Sequence, residues 1–297
     1  MSGQLKEVRE RIQSVNSTQQ ITNAMKMVSA AKLRRAQTAI TEIRPYSDKL
    51  DGILRNILSN LDGGADSQFG VEREGQKTLI IVITSNRGLA GAFNSNIIKA
   101  CVHKIETDCK SARSNGELSI LCVGKKGYEY FKKRYSDCNI ISDYVNLFAD
   151  LSFESVAQVS QLAMDGFEAK EYDHVYVGYG RFKNAAVQYS ELTQFLPVQK
   201  IEPSSTSKRS LKSDYIFEPN QDDLLRELIP TILQTSFHKM ILDTHASEHG
   251  ARMTAMSKAT DNAQELMKEL RITYNKARQE AITKELSEIV GGAAALG

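Results

Sequence analysis

Two short stretches hold residue types that could do chemistry. In "HASEH", residues 245–249, His245 and His249 stand one helical turn apart with Glu248 beside them, the H-x-x-E-H pattern of some zinc peptidases. Two imidazoles would hold a metal, and the carboxylate would act as base toward a bound water. No third ligand is evident, and ordinary helix-face residues fit the same letters. In "SNRGLAGAF", residues 85–93, a turn follows an apolar strand and precedes a helical run. A phosphate could meet free amide groups at such a place. Its glycines are Gly88 and Gly91 only, so the G-x-G-x-x-G spacing is missing, and a tight strand-to-helix turn is the plainer explanation. "VGKKGYEYF", residues 123–131, has a Gly-Lys pair but lacks the upstream Gly and the following Ser or Thr of a P-loop. Cys101, Cys109, Cys122 and Cys138 form no CxxC pair and sit among apolar residues, as buried free thiols would. No Ser/His/Asp or Cys/His grouping is suggested, and neither a metal nor a cofactor is expected.

The elements that would position these residues fall into three segments. Residues 3–61 read as helix: Leu33, Ala36, Ile40, Ile43, Ser47, Leu50, Leu54, Ile57 and Leu61 alternate steps of three and four, a heptad seam. Pro45 predicts a bend or the loss of one hydrogen bond, and "DGGADSQFG" (62–70) ends the helix. Residues 75–200 then alternate apolar runs with helical ones. "KTLIIVITSN", "ELSILCVG", "NIISDYV" and "DHVYVGYGRF" predict strands, and "AAVQYSELTQFLPV" adds an antiparallel edge. "NSNIIKACVHKIE", "KGYEYFKKRY" and "SFESVAQVSQLAMDGFEAK" predict helices, the last with Ser152 as N-cap. The alternation predicts a Rossmann-like, mostly parallel sheet.

A polar, Ser-rich linker lies within residues 201–221, and the helical pattern returns over 222–297. Leu242, Ala246, His249, Met253, Met256, Thr260, Ala263, Met267, Leu270, Tyr274, Ala277 and Ala281 step by four and three without a miss. A helix of roughly 70 residues would be about 105 Å long, too long for a compact domain to bury. Two terminal helices flanking one sheet domain are expected to pair with each other, antiparallel. The fold class is therefore α/β: an antiparallel coiled coil of residues 1–61 and 222–297 plus a central Rossmann-like domain.

Composition narrows the function. The net charge of +2 gives no field for nucleic acid. No run of 18 apolar residues is present, and the first residues resemble neither a signal nor a transit peptide. On the first helix Lys6, Arg9, Arg11, Lys26, Lys32, Arg34, Arg35 and Arg44 outnumber Glu7, Glu10 and Glu42, which suits an electrostatic track against an acidic partner. The chain closes on "IVGGAAALG", a smooth apolar end where termini are normally polar.

"STQQITNAMKMVSAAKLRRAQ", "TSNRGLAGAFN" and the long stretch from "ASEHGARMTAMSKATDNAQEL" to "SEIVGGAAAL" together resemble the gamma subunit of the F-type ATP synthase, of bacterial type. The match spans nearly the whole chain. It implies a non-catalytic rotor shaft: the coiled coil inside a hexamer of alternating alpha and beta subunits, the sheet domain outside it with the epsilon subunit and the membrane ring of c subunits. ATP would be made on beta. The complex would place the chain peripherally on the cytoplasmic side of a bacterial inner membrane. By the same resemblance Arg278, Gln279 and Thr283 would hydrogen-bond a loop of beta. Met25 and Arg252 would bear on coupling, and Arg87, Leu89 and Ala90 would approach the acidic lever loop of beta. In "SDYIFEPN", Tyr215, Phe217 and Glu218 would form the foot on the c ring, with Phe217 in place of a frequent Tyr. Ile289, Val290, Ala293, Ala294, Ala295 and Leu296 would turn as an apolar bearing. Residues 200–220 hold no Cys, so the thiol switch of plant-type gamma is not expected. A coiled-coil scaffold without a rotary role is the alternative, and a zinc peptidase using the HASEH helix is a further one.

Overall fold

Strand β1, Thr78–Ile83, consists of Thr78 and five successive Leu, Ile or Val residues and is buried along its whole length, as expected of a strand covered on both faces. Strands β2 (Leu118–Val123), β3 (Asn139–Ile141) and β4 (His174–Phe182) run parallel to it or to one another. β5 (Gln188–Leu196) returns antiparallel to β4, giving the order β3-β2-β1-β4-β5. All five expected strands are present, and the sheet is parallel except at that edge.

Pleat alternation divides the core in two. Ile80 and Val82 face one side with Ile120 and Cys122, under helices α2 (Phe93–Thr107), α3 (Lys110–Ser114) and α4 (Lys125–Arg134). Leu79, Ile81 and Ile83 face the other, under α5 (Phe153–Glu168) and the long helix α6 (Gln221–Leu296). Ser152 caps α5, its hydroxyl accepting the Ser155 amide at 3.4 Å. The N-terminal helix α1 is Ser2–Asn60, unbroken at Pro45. α6 likewise contains Pro230.

The computed structural model describes residues 2–60, 68–71, 73–198 and 221–296. The expected turn at 62–70 falls partly outside the described residues, and the linker and the foot residues Tyr215, Phe217 and Glu218 fall wholly outside them. So do the side chains of Leu54, Ile57, Leu61, Ala294, Ala295 and Leu296. By contacts the chain forms two compact units, residues 31–251 and residues 1–30 with 252–297; α1 and α6 contribute to both.

In the second unit the two helices pair antiparallel. Arg9 donates to the Tyr274 hydroxyl at 3.0 Å, and the Thr22 and Thr260 hydroxyls meet at 2.8 Å. Met256, Ala263, Met267 and Leu270 are buried, each at a position of the expected seam. On α1 the seam begins earlier than Leu33, with Leu5, Val8, Ile12, Val15, Gln19, Thr22 and Ser29 also turned inward. Gln19, Thr22 and Ser29 interrupt its apolar periodicity.

Candidate functional site

The turn after β1 keeps its hydrogen-bonding groups for itself. The Ser85 amide donates to the Asn94 side chain at 2.9 Å, and the Ser85 hydroxyl donates to the Arg87 carbonyl at 2.6 Å. Asn86 accepts the Lys125 amide at 3.1 Å, and Ser85 O accepts Lys126 N–H at 3.1 Å. Side chains thus take the Ser85 and Lys125 amides, two that a phosphate at this end of the sheet could otherwise meet. Leu89 and Gly91 adopt positive φ, 61° and 58°, to reverse the chain. Ala90 is buried beside Phe93 and Ile97 while Arg87 and Leu89 are exposed. Of the three residues expected to approach a partner, only Arg87 and Leu89 therefore point outward.

The crevice at the strand-order reversal, between β1 and β4, is where open parallel sheets bind ligands. α6 stands at this end of β4. Thr244 Oγ1 accepts the Gly180 amide at 3.2 Å, and Ser247 Oγ donates to the Gly180 carbonyl at 3.0 Å. A side chain at Gly180 would collide with Phe93, whose Cε2 would lie 2.7 Å from the new Cβ. A helix thus fills the position that a nucleotide takes in other folds of this topology.

His245 and His249 do come together, Nε2 to Nε2 at 3.0 Å, and His245 stacks on Phe148 with ring centroids 6.0 Å apart. His249 and Glu248 are buried in the first unit. Among the described residues no group of three or more His, Cys, Asp or Glu is placed to hold a metal. His249 sits on the α6 seam, and His245 packs beside it against Phe148 as a helix-face residue.

Next to Thr244, Asp243 is 4% exposed and one of its carboxylate oxygens has no hydrogen-bond partner among the described residues. Arg44 of α1 approaches to 3.9 Å but is itself half in solvent. Burial outweighs this cation and pushes the Asp243 carboxyl up to about 6. Nearby, Glu191 accepts from Tyr179 at 3.0 Å and from Arg181 at 2.6 Å. No sequence signal singled out Asp243, Thr244 or Ser247. Polar residues on an otherwise apolar helix face, opposite the "GYG" of β4, were the available hint.

The four thiols are free. Cys101, Cys109 and Cys122 are buried and Cys138 is partly so. Burial pushes Cys101 and Cys122 up to about 12.

In the second unit, Arg278, Gln279 and Thr283 lie exposed on α6, Thr283 Oγ1 donating back to the Gln279 carbonyl at 2.9 Å. Met25 is half-buried and Arg252 is buried. The end of α6 stays helical through Gly291 and Gly292, and Ile282, Leu286, Ile289 and Val290 are 53–71% exposed. That is a row of large apolar side chains left exposed by the described residues. Among the described residues no helix is long and apolar enough to cross a membrane.

A family model described as "ATP synthase" matches residues 4–296. The chain is 51% identical to the ATP synthase gamma chain of Cytophaga hutchinsonii over 292 residues, covering 98% of each chain. It is 50% identical to that of Flavobacterium psychrophilum, again with 98% of each covered. Among solved structures it resembles a chain of the Euglena gracilis mitochondrial ATP synthase (OSCP/F1/c-ring, rotational state 3). That likeness has a TM-score of 0.69 at 25% identity and covers 100% of this chain and 95% of the other.

Proposed function

The chain belongs to the ATP synthase gamma-chain family, a non-catalytic subunit of that complex, and from that membership we propose that it is the rotor shaft. The helix pair of residues 1–30 with 252–297 turns inside a hexamer of alternating alpha and beta subunits. The sheet domain meets the epsilon subunit and the c ring, with the foot at Tyr215, Phe217 and Glu218. Proton flow through the ring drives the turn, and ATP forms on beta. Attachment to the bacterial inner membrane, on its cytoplasmic side, is through the complex alone. The full-length likeness to gamma chains displaces the scaffold and zinc-peptidase alternatives.

The observation that supports this reading best is the exposure, among the described residues, of Ile289 and Val290 near the end of α6, beyond the exposed polar set Arg278, Gln279 and Thr283. Ile289, Val290 and the alanines after them offer few directional hydrogen bonds, so a sleeve around them would present low barriers to rotation. About two to three helix turns below, Arg278, Gln279 and Thr283 can reach a loop of one beta subunit at a time. An asymmetric pair in a pseudo-threefold cavity makes unequal contacts with three otherwise equal sites. Unequal contact free energy is what shifts a conformational equilibrium.

The test is reconstitution with alpha and beta subunits and assay of ATP hydrolysis, with and without residues 278–297. The full chain should assemble an active hexamer and the truncation should lose rate or torque. Failure of the full chain to assemble or to stimulate hydrolysis overturns the proposal. Replacing Arg278 and Gln279 with Ala should slow turnover several-fold; unchanged turnover would remove the loop assignment.

A further inference from the structure

Torque that enters a rotor at its sheet domain must cross to the long helices without angular slack. In residues 31–251 the sheet reaches α6 at one backbone residue in particular. β1 pairs with β4 only as far as Val82 and Gly178, so Gly180 lies past the end of its neighbour strand on that side. Backbone groups left in that position need partners. Thr244 Oγ1 takes the amide and Ser247 Oγ takes the carbonyl, at 3.2 and 3.0 Å. Thr244 Oγ1 also donates to the Met240 carbonyl at 2.7 Å, which fixes its rotamer. Thr244 and Ser247 are fully buried, and Ser247 packs 3.3 Å from where a Gly180 Cβ would stand. One residue earlier on α6, Asp243 faces Arg44 of α1, so the same stretch touches both helices and the sheet.

We infer that Thr244 and Ser247 are positioning residues that lock the sheet domain in angle onto α6, by gripping both backbone groups of Gly180, so that twist is handed to the shaft. This rests on the rotor reading above. A hydrogen bond from each side chain to one backbone residue resists sliding along the helix as well as rotation about it. Apolar packing alone is non-directional and would resist neither so sharply.

The experiment uses the assembled alpha–beta–gamma complex fixed through beta, with a bead on the sheet domain of this chain. The Thr244→Val/Ser247→Ala double variant is compared with wild type and with Thr244→Ser, which keeps the hydroxyl. Amide exchange at Gly180 should speed up about fivefold in the double variant. During the pauses between steps the angular distribution of the bead should widen roughly twofold, as expected when directional bonds are lost from a joint. Thr244→Ser should match wild type in both. A double variant with faster Gly180 exchange but unchanged angular width overturns the inference alone. Should the double variant fail to assemble, Ser247→Ala by itself is measured by the same two readouts and judged by the same outcomes. A wild-type chain that drives no rotation overturns the rotor reading and this inference together.

Discussion

Burial raises the Asp243 carboxyl from an ordinary 3.8 to about 6, with Arg44 too distant and too solvated to offset it. A carboxyl whose folded value lies above its unfolded one favours the folded state when protonated. Its contribution is fully present below about 3.8 and is lost as pH rises through about 6. Asp243→Asn should therefore stabilise the fold at pH 7.5 by about 1–2 kcal/mol. It should also flatten the fall in stability between pH 5 and 7.5, as read by urea unfolding. Equal stability of variant and parent at pH 7.5 would show that Arg44 compensates fully. The cysteines give a second residue-scale expectation. With Cys101 and Cys122 near 12 and buried, alkylation of the native chain at pH 8 should reach Cys138 first and spare those two until the chain unfolds. Mass spectrometry of the labelled peptides reads this directly.

At the scale of elements, the strands were legible because β1 and β2 are short apolar runs bounded by turn residues, while β5 mixes polar and apolar residues as an edge strand does. β1 could hardly have been anything else. The α6 seam was equally legible: every residue in the four-three series from Leu242 to Ala281 is buried or half-buried. The α1 seam is legible in the sequence only from Leu33 onward, because Gln19, Thr22 and Ser29 occupy inward positions that an apolar residue would normally take. The Thr22 hydroxyl there meets Thr260, a polar layer that helps to set the register of two helices. Pro45 did not end its helix, since a proline removes one hydrogen bond without preventing the chain from continuing. The short α3 was not foreseen; five residues carry too little periodicity to see. Gly124, between β2 and α4, has φ 97°, and a Cβ there would run into the Thr84 carbonyl oxygen. Gly124→Ala should cost about 3 kcal/mol or more, measured as a shift in the urea midpoint. A change under about 0.5 kcal/mol would mean that the turn relaxes freely.

At the scale of the whole molecule, local sequence could name exposed helix faces but not what they touch. Arg278, Gln279 and Thr283 carry no chemistry of their own that periodicity would mark. They became candidates through the likeness to gamma chains, and their exposure on α6 is what such a role requires. The HASEH motif points the other way. Its letters suggest catalysis, yet its imidazoles bond to each other on a packed helix face. The sheet has the topology of a nucleotide binder, but α6 stands at its crevice and side chains take the Ser85 and Lys125 amides beside it. A fold used elsewhere to bind a ligand here grips a helix. The central claim, that this helix pair is a rotor, is tested most directly by fixing an alpha–beta hexamer containing this chain through beta and watching a bead on the sheet domain as ATP is added. The account predicts unidirectional rotation with one pause for each catalytic site. Free angular diffusion, or a bead that stays still while ATP is hydrolysed, would contradict it.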